Sequence, residues 1–80
     1  MDIVYVEWID SSRTGGWTSG REAVIPYEKL ACESIGFLVN DSEDSITITS
    51  SLAMPERGCL NALTIPKCAI RKMHYVVFDK

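Results

Sequence analysis

The sequence predicts an all-β domain: a small, strongly bent, five-stranded antiparallel barrel with at most one short helical turn. Three observations predict it. Apolar residues recur at period two over most of the chain, the spacing of half-buried strands. The candidate strands are short, and polar, Gly- or Pro-containing segments separate them. Gly36 interrupts the second of them, where glycine marks a bend, a bulge or a close backbone approach. Closing such a sheet into a barrel also removes exposed strand edges.

The elements follow in order. Residues 3–9, IVYVEWI, are β-branched and aromatic and read as a strand. Val4, Val6 and Trp8 lie on one face; Ile3, Tyr5, Glu7 and Ile9 lie on the other. Both faces are mostly apolar, so the strand calls for cover on more than one side. Residues 10–22, DSSRTGGWTSGRE, hold too many glycines for a helix and too few apolar residues for a strand. Residues 21–31 contain Pro26, which biases Ile25 towards extended geometry, and read as an extended segment or one short turn.

Residues 31–40, ACESIGFLVN, are the second strand, with Ile35, Phe37 and Val39 on one face. Cys32, Ser34, Gly36 and Leu38 share its other face. The polar turn 41–44 leads into residues 45–50, SITITS, with Ile46 and Ile48 inward and Thr47 and Thr49 outward. Residues 53–58 are a loop and 59–65 a fourth strand ended by Pro66. Residues 66–69 fit a tight or 3₁₀ turn, and 70–78 form the fifth strand.

Eighty residues make one domain, 1–80, of which 46% of residues are apolar. A chain this short buries only about 60% of its unfolded surface, so its margin is thin and self-association is the expected support. The three cysteines, Cys32, Cys59 and Cys68, form no CxxC pair. They read as reduced, mostly buried thiols. With one histidine, His74, they do not make a convincing zinc set. No secretory signal opens the chain and no apolar run reaches membrane-spanning length, so a cytoplasmic location and no membrane partner are expected. The net charge of −3, with no basic run, argues against binding duplex DNA.

The strand-turn-strand SIGFLVNDSEDSITITSSL, followed by IPKCAIRKM, resembles the SH3-like and Sm-like small barrels. That resemblance implies the barrel and offers Sm-like nucleic-acid binding as an alternative function. The acidic turn at 41–44 and the lack of the Sm second-motif glycine depart from the RNA-binding pattern. The order of WID, GGW, IGFLV and AIRKM is similar to small accessory proteins of tailed phages and prophages. It implies a host bacterial cytoplasm and a role against host defence, either by sequestering a nucleotide immune signal or by occluding a host defence protein.

For chemistry, Trp17 offers a stacking face, Gly15 and Gly16 offer backbone N–H groups, and Arg13 and Arg21 offer phosphate donors. Arg57 and Arg71 are further anion-binding candidates. Trp17 has a second reading, as a lid packed on the barrel. Arg71 and Lys72 point to opposite faces if the last strand is regular. No catalytic motif, cofactor or metal site is evident; hydrolysis of a nucleotide signal is the catalytic alternative. The leading reading is a non-catalytic homo-oligomer, dimeric or higher, that captures a small anionic ligand such as a nucleotide.

Overall fold

The structure, a computed structural model, describes residues 1–11, 16–53 and 58–78. It is mostly β. The strands are β1 (Ile3–Ile9), β2 (Ala31–Asp41), β3 (Ser45–Thr49), β4 (Ser51–Ala53), β5 (Gly58–Leu60), β6 (Leu63–Pro66) and β7 (Ile70–Tyr75). Five of them form one antiparallel sheet in the order β6-β3-β2-β1-β7, and β4 and β5 pair as a separate ribbon.

The sheet must bend. Its two edge strands, β6 and β7, are joined by a single 3₁₀ turn, Lys67–Ala69. The step from Pro66 to Ile70 reaches at most about 14 Å. A flat five-stranded sheet would hold its edges about 19 Å apart. The sheet therefore curls until its edges approach. The pairing does not close: no ladder joins β6 to β7, so the barrel expected from the sequence is an open, bent sheet.

The concave side holds the core. Val4, Val6, Ile46, Ile48 and Ile65 are buried, with Trp8, Leu38, Leu63, Ala69, Ile70 and Met73 packed around them. Each of β1, β3 and β6 contributes alternate residues, as period two demands. On β2 the inward face is the less apolar one. Ser34 and Gly36 stand opposite Val6 and Val4, while Ile35 and Phe37 pair with Tyr5 and Ile3 on the outward face. The reason is space. A Cβ on Gly36 would lie 2.7 Å from the Thr49 carbonyl oxygen, so β2 passes the end of β3 at backbone contact. Ser34 earns its inward position by accepting a hydrogen bond from the Trp8 indole N–H at 3.0 Å.

Several expectations are corrected. The stretch read as one strand over 59–65 splits into β5 and β6 at Asn61, whose φ of 56° is left-handed. Asn tolerates that region because its short amide bonds locally. Thr49 is not outward but buried, its hydroxyl donating to the carbonyls of Leu60 and Ser51. Helical turns number more than one. The α-turn α1 (Gly20–Ala23) and a 3₁₀ turn at Tyr27–Leu30 precede β2, besides the turn at Lys67–Ala69. Both 3₁₀ turns start after a proline, Pro26 or Pro66, whose ring sets φ near −60° at the turn's entrance. α1 is fixed by Ser19, which accepts from the Glu22 N–H at 3.1 Å. The sequence Ser19–Glu22 is an S-x-x-E capping pattern, so this turn was legible. Cys59 and Cys68 are exposed and Cys32 half-buried, against the expectation of buried thiols. Cys59 lies on the ribbon, and Cys68 on the tight turn outside the core.

The acidic turn is a structural device. Asp41 pairs with Lys67 at 2.6 Å, and the Lys67 N–H donates to the Asp44 carbonyl at 2.8 Å. Both partners are well exposed, so the ion pair contributes at most about 1 kcal/mol. Its use is positional: it ties the β2–β3 turn to the edge connection.

The close approach at Gly36 is testable. Gly36→Ala should destabilise the chain by about 1–3 kcal/mol, because backbone rather than a movable side chain opposes the methyl. Thermal melting checks it; an unchanged midpoint would show that β2 and β3 can separate freely here.

Candidate functional site

A cleft opens where β1, β2 and β7 end beside Trp8. Glu7, Trp8, Ala31, Cys32, Glu33, Arg71 and Lys72 line it, and its volume is about 620 Å³. That lies within the range of small-molecule sites, about 300–1,000 Å³.

A break in strand register builds it. Along β1 and β7, Val6 pairs with Met73 and Glu7 with Lys72, but Trp8 pairs with Ile70. Arg71 is thus an extra residue, a β-bulge. Bulges re-aim side chains and gather beside sites. In a regular strand Arg71 and Lys72 would project to opposite faces; here both border one cleft. The last strand is not regular here, so the condition on which opposite faces rested is not met.

The other wall is acidic. Glu7 stands directly across from Glu33 on β2 and from Lys72 on β7. Like charges directly opposed across strands repel. Next along the same outward face is Tyr5, opposite Ile35 and His74. Its ring stacks on His74, with centroids 6.2 Å apart and planes 18° from parallel. Partial burial, then the Glu33 and Glu7 carboxylates and a hydrogen bond from the phenol to Glu33, hold the Tyr5 hydroxyl above its ordinary value.

The structure brings only part of the sequence-predicted set together. Arg71 lines the cleft. Gly16, Trp17 and Arg21 lie instead on an arm that leaves the sheet between β1 and β2. The arm is pinned at its root by the Asp10 N–H donating to the Leu30 carbonyl at 2.9 Å. Gly16 has φ of 73°, a turn conformation that suits glycine. Trp17 is fully exposed, so the lid-on-core reading is overturned. Arg21 lies in α1, which buries none of its residues. Arg13, Gly15 and Arg57 lie outside the described residues. Sequence reasoning missed Glu7, Trp8, Ala31, Cys32, Glu33 and Lys72 as lining residues. One signal was available, a lone carboxylate in an otherwise apolar strand at Glu7. Their convergence depends on register.

Among the described residues, no three His, Cys, Asp or Glu side chains are grouped to hold a metal ion. No helix there is long and apolar enough to cross a membrane. No protein-family model, curated protein or solved structure matches the chain.

Two outcomes follow. The raised Tyr5 value means that the fold favours the neutral phenol. Its contribution is present below the ordinary tyrosine value of about 10 and is lost as pH rises through the raised value. In ultraviolet titration, Glu33→Gln should bring Tyr5 part of the way back down; burial, the larger cause, remains. No movement at all would remove Glu33 as a cause. At high dilution, Trp17→Ala should keep the melting stability within about 0.5 kcal/mol, as for a surface substitution. Unfolding of that variant would return Trp17 to the core.

Proposed function

We propose that this protein is a non-catalytic binding protein that captures a small anionic ligand of nucleotide type in the cleft beside Trp8. The observation that carries the reading is the bulge at Arg71, which turns two successive cations, Arg71 and Lys72, onto one cleft of ligand size. The mixed charge favours a nucleotide over a bare anion. Arg71 and Lys72 suit phosphate oxygens, Arg in fork geometry and Lys as a point charge. Glu7 and Glu33 suit the N–H donors of a base edge, as carboxylates do towards exocyclic amines. Trp8 and Ala31 add apolar wall.

The strand order supports an SH3-like open barrel as the scaffold. The chain's first strand lies between the second and the last, and a 3₁₀ turn joins the two edges. The likeness to phage accessory proteins makes a host immune nucleotide the first ligand to try, and sequestration the mode of action.

Calorimetric titration with mononucleotides and cyclic dinucleotides, beside inorganic phosphate, tests the reading. Nucleotides should bind and phosphate alone should bind far more weakly. Arg71→Ala should weaken nucleotide binding by about ten- to a hundredfold, the worth of a charged hydrogen bond. The loss should shrink as salt rises. Absence of heat with every nucleotide would overturn the proposal, as would an Arg71→Ala variant that binds like the parent.

A further inference from the structure

We propose that the chain pairs with a second copy of itself, the arm of each lying on the outward face of β1, β2 and β7 of the other. The first argument is area. The chain exposes 6,347 Å². A compact monomer of its 8.9 kDa mass exposes about 4,800 Å². Its radius of gyration is 15.8 Å, against about 12 Å for a compact domain of this length. The surplus, about 1,500 Å², exceeds the roughly 800 Å² per partner that a standard specific interface buries.

The second argument is where the apolar surface lies. On the arm, Trp17 is fully exposed, Val24 is 73% exposed and Ile25 is exposed. Residues 18–23 of the arm have a defined shape, set by their own hydrogen bonds. Ser19 caps Glu22, the Thr18 hydroxyl donates to the Glu22 carboxylate at 3.0 Å, and the Ala23 N–H donates to the Ser19 carbonyl at 3.0 Å. Trp17, Val24 and Ile25, exposed on either side of an ordered turn, are placed for another surface. On the sheet, Ile35 is 62% exposed, with Ile3, Tyr5 and Phe37 half-buried around it on the same outward face. This is the second apolar face of β1, which the described residues leave only half covered.

The third argument is charge, and it selects the occupant. The outward apolar stripe ends at the opposed carboxylates Glu7 and Glu33, with Lys72 on the far side of Glu7. The arm carries Arg21 between Trp17 and Val24. Trp17 therefore suits the Ile35–Tyr5 stripe, and Arg21 suits the carboxylate pair. Arm and face belong to one chain, so a two-fold pairing satisfies both twice over. A foreign partner would satisfy each once. The pairing does not rest on ligand binding, because it is measured without ligand.

Sedimentation equilibrium of the full chain over a micromolar concentration series tests the pairing. The parent should be dimeric. Ile35→Asp and Trp17→Ser should each give a folded monomer, with circular dichroism retained and a melting midpoint that no longer depends on protein concentration. Arg21→Glu should weaken the dimer by about tenfold or more through like-charge contact with Glu33. Adding Glu33→Arg to Arg21→Glu should restore it, a result that mere loss of folding cannot mimic. A parent that is monomeric throughout overturns the proposal. So does a dimer indifferent to Trp17→Ser and Arg21→Glu, which places the interface elsewhere. So does a double variant no tighter than Arg21→Glu alone. A monomer that takes up a different protein on Ile35 overturns it in favour of a foreign partner.

Discussion

Three residues, Lys67–Ala69, join strands at opposite edges of a five-stranded sheet. The rest of the structure depends on that short connection. A sheet whose edges must approach cannot lie flat, so one side becomes concave and the other convex. The concave side encloses a core of five buried aliphatic residues. Where β2 passes β3 at backbone contact, no side chain fits, and Gly36 stands there. The Asp41–Lys67 pair and the Lys67 N–H bond to Asp44 fasten the same connection from outside.

The bend has a cost at the ends of the strands. Register slips at Val39, where Leu38 pairs with Ile48 and Asn40 with Thr47, and again at Arg71. The first slip lies in the strand that crosses β3. The second gathers charge, because a bulge breaks the alternation that governs the residues on either side of it. A folding device and a candidate binding device thus share one origin: the irregular pairing that a tightly curled sheet carries.

The convex side shows what a chain of 80 residues cannot do. Its described residues fill one face of the sheet with aliphatic side chains and leave the other only partly roofed. Ile35, Tyr5 and Ile3 remain on the outside, and Trp17 stands clear of the body. Surface of this kind is where small domains meet other molecules.

The sequence by itself determined the all-β class, the limits of β1, the β2–β3 hairpin, a short turn at 66–69 and the inward Ile46 and Ile48. These are local: period two, turn residues and proline geometry act within a few residues. It also carried the sign that β1 is apolar on both faces. Only the tertiary structure decided which face of β2 is inward. Pattern favours Ile35 and Phe37, but the space beside Thr49 admits Gly36 and the Trp8 indole needs Ser34. Only it decided that the sheet stays open, that Trp17 is exposed, and that Arg71 and Lys72 share a cleft with Glu7 and Glu33. The physical reason is the same in each case. Register, crossing distance and bulge position belong to pairs of strands, and no stretch of one strand encodes its partner's offset.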